Sequence, residues 1–331
     1  MDFYTNVCRS RDKILVIGYQ GRTKQKVAVN YRPNHYILSK KSESPYKSLD
    51  GRNLEVVNLN SMGGARKFKD KYQNIDGFEV HGYDRYIYTY ISDKFQGKIE
   101  FDPSLIKIAT LDIECESENG FPEPMQAIEK VNAISIKPFG KSCVVFGIGP
   151  WQTESDVVYY ECSNEQDLLM KFVKYWREEW FDIVTGWNVK FFDIPFLMNR
   201  FRRLMGDEYI LQFSPWGVVS ESSSKVSGWE NKQEKKTWDM MGIAVLDYLD
   251  LYRKHTFVRR ESYRLDHIGD VELGEKKHEN PFDTFKEFYQ KDQEEISNKI
   301  KDLGLENELI NHEGLTPVSY THLTLPTKRI V

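Results

Sequence analysis

Two carboxylates one residue apart close the apolar run Ile106–Glu116 (IKIATLDIECE), and they are the first chemistry the chain offers. Side chains in a strand alternate between faces. Ala109, Leu111 and Ile113 then share one face, and Ile108, Thr110, Asp112 and Glu114 the other. Asp112 and Glu114 fall side by side, roughly 6.6 Å apart along the strand at about 3.3 Å per residue. At the end of a buried strand two such groups repel each other and lose hydration, and a divalent cation relieves both penalties. Taken alone, the stretch reads more simply as a strand running out into a solvated acidic turn, since Glu116 and Glu118 follow.

A second group lies in Val184–Arg200 (VTGWNVKFFDIPFLMNR). The pattern predicts a strand ending at Gly186, a turn presenting Asn188, and a helix opening at Asp193 with Pro195 in its first turn. An aspartate followed by a proline is also how an ordinary helix begins, so Asp193 reads equally as a helix cap.

The elements that must hold these groups follow from composition and periodicity. A chain of 331 residues, 40% hydrophobic and 14% aromatic, is long enough for two domains with real cores. With 29% charged residues and a net charge of −4, a uniformly basic nucleic-acid coat is excluded, while an acidic site beside a basic channel is not. The basic stretches Arg9–Lys13, Arg22–Lys26, Arg66–Lys71, Arg200–Arg203 and Arg253–Arg260 read as solvated faces. Cys8, Cys115, Cys143 and Cys162 lie far apart with no zinc or disulfide spacing, so free thiols are expected. No apolar run reaches membrane-spanning length and the polar start is no signal peptide, which predicts a soluble, cytoplasmic chain with no membrane partner.

Residues 1–103 carry short strand signals: a hairpin of Ile14–Tyr19 with Lys26–Val29, then His35–Leu38 and Leu54–Leu59. Ser61–Tyr72 reads as a helix capped by Ser61, and Phe78–Ile91 as strand or helix. From Ile106 strands alternate with helices: Val131–Ile136, Ser142–Phe146, Val157–Glu161, the helix Glu165–Trp180, the strand Asp182–Thr185 and the helix Ile194–Met205. Trp216–Asp239 is polar, either a protruding hairpin or a disordered loop. Ile243–Leu246 returns to the core, and Asp247–Phe257, Ser262–Ile268 and Phe285–Leu303 read as helices. Asp247 and Asp250 are expected to cap a helix. This order predicts an α/β fold, α+β overall, with a mixed sheet flanked by helices after a small α+β domain. Val318–Val331 breaks the pattern; VSYTHLTLPT resembles a translated adapter sequence, so residues 318–331 are treated as a non-native tail of an N-terminal fragment.

Together, LDIE (Leu111–Glu114), TGWNVKFFDIPFLMNR (Thr185–Arg200), LDYLDLYRK (Leu246–Lys254) and SYRLDHIGDVELGEKK (Ser262–Lys277) resemble the family B DNA polymerases, especially replicative enzymes of tailed bacteriophages. The resemblance implies an N-terminal domain over 1–103 and a ribonuclease-H-like 3′–5′ exonuclease domain over 104–317. None of the polymerising motifs falls within these residues. It further implies two Mg²⁺ or Mn²⁺ ions, with Asp112, Glu114, Asp193 and a late aspartate as ligands and catalytic residues. Asn188 would hold the DNA strand or organise the turn. Phe191 and Phe192 are packing candidates first and stacking candidates second, with Phe192 carried forward as a DNA contact.

The family's third motif is tyrosine, three residues, aspartate. The helix Asp292–Leu303 offers Asn298 and Asp302 at that spacing, so Asp302 is the candidate ligand and the tyrosine is absent. Phe288 or Tyr289 with Asp292 are competing alignments. The implied function is the N-terminal part of a viral DNA-directed DNA polymerase that proofreads single-stranded 3′ primer ends. Implied partners are primer-template DNA and a sliding clamp. A silent nucleic-acid-binding module of the same fold and a stand-alone exonuclease are the alternatives.

Overall fold

The computed structural model describes residues 1–116, 122–151, 157–227 and 232–274. The chain divides into two compact units, Met1–Ile106 and Lys107–Val331. The expected helix Phe285–Leu303, the candidate Asp302 and the tail 318–331 lie outside the described residues.

In the first unit, β1 (Phe3–Ser10), β2 (Lys13–Gln20) and β3 (Thr23–Val29) form an antiparallel sheet. A second sheet follows from β4 (Asn34–Leu38), β5 (Tyr46–Lys47), β6 (Asn53–Asn58) and β7 (Val80–His81), ordered β5-β6-β4-β7. Helices α1 (Met62–Tyr72) and α2 (Tyr86–Lys94) complete the unit. Ser61 caps α1 as its sequence position predicts, its hydroxyl accepting from the Gly64 N–H at 3.0 Å. The ambiguous Phe78–Ile91 resolves into both a short strand and a helix.

The second unit is built on β8 (Ile108–Cys115), β9 (Val131–Pro138), β10 (Cys143–Ile148), β11 (Val157–Cys162), α3 (Glu165–Glu179), β12 (Ile183–Gly186) and α4 (Asp193–Met205). It continues with a short turn of helix, α5 (Asp207–Ile210), and a hairpin of β13 (Val219–Ser227) and β14 (Lys232–Met240). The strand β15 (Ala244–Asp247) and helices α6 (Tyr248–His255) and α7 (Leu265–Leu273) close the described part. Six strands form one mixed sheet in the order β11-β10-β9-β8-β12-β15. β9 runs antiparallel to both β8 and β10, while the pairs β10–β11, β8–β12 and β12–β15 are parallel. This is the helix-flanked mixed sheet expected of a ribonuclease-H-like exonuclease domain.

Apolar periodicity sets which faces close. Leu168, Leu169, Phe172, Val173 and Trp176 make a buried stripe on α3, and Phe196, Leu197 and Phe201 do so on α4. Both stripes join a core that takes Ala109, Leu111 and Ile113 from β8, the three residues that alternation put on one face. Trp176 buries its ring there and donates its indole N–H to the Phe213 carbonyl at 3.1 Å, so burying the ring strands no polar group.

One open reading is resolved and two expectations change. Trp216–Asp239 contains a paired hairpin, held at its base by the buried side chains of Thr237, Trp238 and Met240. The last described helix starts at Leu265 rather than Ser262, because Tyr263 is held outside it, its carbonyl accepting the Trp187 indole N–H at 3.1 Å. Arg200–Arg203 is not a solvated face: Arg200 is only 7% exposed, and Arg202 stacks over Trp238 while pairing with Asp207 and Glu221.

Candidate active site

The site forms where the parallel pair β8–β12 stops. β12 pairs with β8 only over Ile108–Thr110, so the end of β8 that carries Asp112 and Glu114 runs on past its neighbour. Gly186 makes the approach possible, since a Cβ there would stand 2.5 Å from the Leu111 carbonyl oxygen. The chain then turns through Trp187–Phe192 and enters α4, whose first residue is Asp193.

Asp193 is 2% exposed, and its Oδ1 accepts the Ile113 backbone N–H at 3.1 Å. That amide lies between Asp112 and Glu114. A side chain that sequence reads as an ordinary helix cap is instead spent on a different strand, and the cap position, Phe192, makes no side-chain cap bond. Burial and then the neighbouring Asp112 push the Asp193 carboxyl well above its ordinary range, with Asp247 adding to the effect. Burial and then Glu114 and Asp193 likewise raise the Cys115 thiol. Charges remote in sequence are thus close enough to feel one another.

Asp247 fixes the turn. Its Oδ1 accepts the N–H groups of Asn188 and Leu249 at 3.1 and 2.9 Å, and its Oδ2 that of Lys190 at 3.0 Å. It caps α6, as expected, and also clamps the turn before Asp193, a second duty that sequence reasoning missed. Asn188 takes a left-handed backbone, φ 64°, which asparagine tolerates better than most residues. Its carbonyl accepts the Phe191 and Phe192 N–H groups, closing the turn. Alanine at 247 removes the partner of three backbone donors in a 4% exposed position. It should destabilise the chain by about 2–3 kcal/mol, read as a lower urea midpoint. Asparagine should cost less, because burial already pushes this carboxyl up and a neutral oxygen remains to accept.

The sequence candidates divide as follows. Asp193 reaches the Ile113 amide, which lies between Asp112 and Glu114 along β8, and Asn188 stands on the adjoining turn. Phe192 packs on Phe196, centroids 5.9 Å apart, and against the core. Asp302 lies outside the described residues. All four cysteines are free thiols. Among the described residues no three His, Cys, Asp or Glu side chains close on one point that would hold a metal ion. The donor chemistry does fit a hard cation. It is all carboxylate oxygen, and burying Asp193 beside Asp112 leaves negative charge that a cation offsets.

Comparison with known proteins locates the same region. The family model described as DNA polymerase family B, exonuclease domain, matches residues 74–268. The DNA-directed DNA polymerase of Escherichia phage RB69 is 28% identical over 325 residues, 86% of this chain and 35% of that protein. That of Enterobacteria phage T4 is 29% identical over 283 residues, 77% of this chain and 30% of that protein. The DNA polymerase delta catalytic subunit of Caenorhabditis elegans is 30% identical over 185 residues, 52% and 16% of the two chains. The chain spans about a third of the length of the phage relatives.

Proposed function

This chain belongs to DNA polymerase family B through its exonuclease domain, and on that premise we propose that it hydrolyses the terminal phosphodiester of single-stranded DNA 3′ ends. The observation that carries the reading is the buried Asp193 carboxylate bonded to the amide between Asp112 and Glu114. A carboxylate from α4 is thus held on the strand that carries two more, 80 residues away in sequence and against the cost of its burial.

Asp112, Glu114 and Asp193 would hold Mg²⁺ or Mn²⁺, with Asp302 assigned the remaining place. Bound there, a pair of such ions supplies an activated water and neutralises charge on the leaving 3′ oxygen. The chain's own part is positioning. The Ile113 amide holds Asp193, Asp247 holds the turn, and the close contact at Gly186 sets β12 against β8. Asn188, on the turn before Asp193, is assigned to the DNA strand. The proofreading role belongs to a longer DNA-directed DNA polymerase of which this is the N-terminal part. Primer-template DNA and a sliding clamp would be its partners, in the cytoplasm of a host cell. No helix among the described residues is long and apolar enough to cross a membrane.

The full chain with Mg²⁺ should shorten a 5′-labelled single-stranded oligonucleotide stepwise from its 3′ end, and EDTA should stop it. An unshortened substrate would overturn the reading. A silent nucleic-acid-binding module is the second reading, favoured by the absence of three converging ligands among the described residues. It predicts no Mn²⁺ heat that Asp112→Ala removes in calorimetry.

A further inference from the structure

The turn that leads into Asp193 presents an aromatic ring with two cations over it. Lys190 Nζ lies 5.3 Å from the Phe191 ring centroid and Lys235 Nζ 5.4 Å from it. The two lysines come from different elements, one from the turn and one from β14 of the hairpin. They stay together because Thr237, two residues along β14, is buried and donates its hydroxyl to the Lys190 carbonyl at 3.0 Å.

Two contrasts separate this group from ordinary packing. Phe192, next in sequence, packs against the core and stacks on Phe196, whereas Phe191 takes no part in the core cluster. Arg202, the other cation stacked at the base of this hairpin, is spent on Asp207 and Glu221. Among the described residues no carboxylate pairs with Lys190 or Lys235. A half-buried aromatic face with two ammonium groups that no described carboxylate holds matches a nucleotide in both its parts: base to ring, phosphates to cations.

We propose that Lys190, Phe191 and Lys235 form a composite clamp for single-stranded DNA entering the carboxylate site, with a base stacked on Phe191 and the flanking phosphates held by the two lysines. The proposal rests on the exonuclease reading for the identity of the strand, but its parts are independent of the carboxylates. Stacking takes any base, so the clamp grips without reading sequence, and its lysines make the grip dependent on salt. Since one of the three residues stands on the hairpin, a displaced hairpin would open the clamp and release the strand.

The test uses the full chain, a fluorescein-labelled deoxythymidine decamer and EDTA, so that binding is read by anisotropy without cleavage. Phe191→Ala should weaken binding at least about fivefold, while Phe191→Trp keeps it. Lys190→Ala and Lys235→Ala should each lower the slope of log affinity against log salt by about 0.7. Wild-type binding with an unchanged Phe191→Ala affinity and an unchanged slope in the lysine variants overturns the clamp, and cleavage by the wild type with Mg²⁺ then leaves the exonuclease reading standing. Loss of binding in the variants without wild-type cleavage keeps the clamp and removes the nuclease. A wild type that neither binds nor cleaves overturns both.

Discussion

Asparagine at position 193 is expected to lower 3′-end cleavage by about a thousandfold while leaving the fold as stable as before, or more so. The two effects have one cause. The carboxylate is buried and its charge is opposed first by desolvation and then by Asp112, so the folded chain carries a cost for keeping it ionised. Asparagine keeps an oxygen to accept the Ile113 N–H and discards the charge, which removes that cost. The same exchange removes a charged ligand from the proposed site, where several kcal/mol of charge stabilisation corresponds to two to four powers of ten in rate, roughly. Asp112→Ala combined with Glu114→Ala should produce the same loss. Initial rates on a single-stranded substrate and thermal midpoints of the same preparations provide the check. If Asp193→Asn keeps its rate, the ligand assignment is wrong. If it loses rate and melts early, the residue is only structural.

What sequence could show depended on how local each cause was. The alternation of Ala109, Leu111 and Ile113 against Asp112 and Glu114 is a property of one strand, and it was legible. Ser61 and Asp247 were legible as caps because a cap's partner lies two or three residues away. Asp193 was not decidable locally, since a cap and a strand-bridging carboxylate share the same sequence, and its partner amide is 80 residues distant. The strand β1 escaped because only Phe3 of its eight residues is fully buried, leaving no clear period. The hairpin's sequence fits two readings because its polar residues outnumber the few side chains, Thr237, Trp238 and Met240, that seat it.

Helix α4 links these parts. Its first residue joins the site, while Asn199 and Arg200 in its middle hold the segment that follows β8. Asn199 Nδ2 donates to the Pro124 carbonyl at 2.9 Å, and Arg200 Nη1 to the carbonyls of Ala127 and Ile128 at 3.1 and 2.6 Å. Ala127 is held in a left-handed conformation, φ 45°, that an alanine seldom adopts unaided. One rigid element therefore places Asp193 over β8 and ties down the chain leaving β8.

Alanine at Arg200 should consequently be the most destabilising single change in this unit. The guanidinium makes a two-point bond to Glu165, Nε to Oε1 and Nη2 to Oε2, each 2.7 Å. Glu165 Oε1 also accepts the Val131 N–H at 2.8 Å. Both residues are under 10% exposed. An intact buried pair adds little net stability, since desolvation consumes most of its attraction. Removing one member is different, because it leaves Glu165 buried without a counter-charge and two carbonyls without a donor. A loss of about 3–5 kcal/mol follows, or a drop in melting temperature on the order of 10 °C. Lysine should rescue poorly, having one ammonium where the site uses a planar fork. The decisive variant replaces both partners, Glu165→Met with Arg200→Met. It should recover part of the loss, since no buried charge remains, although the Ala127 and Ile128 carbonyls stay without their donor and the Val131 N–H loses its acceptor. If the double variant is as unstable as Arg200→Ala, the cost lies in these lost backbone bonds and not in the stranded glutamate. If Arg200→Ala melts with the wild type, the pair does not hold this segment at all.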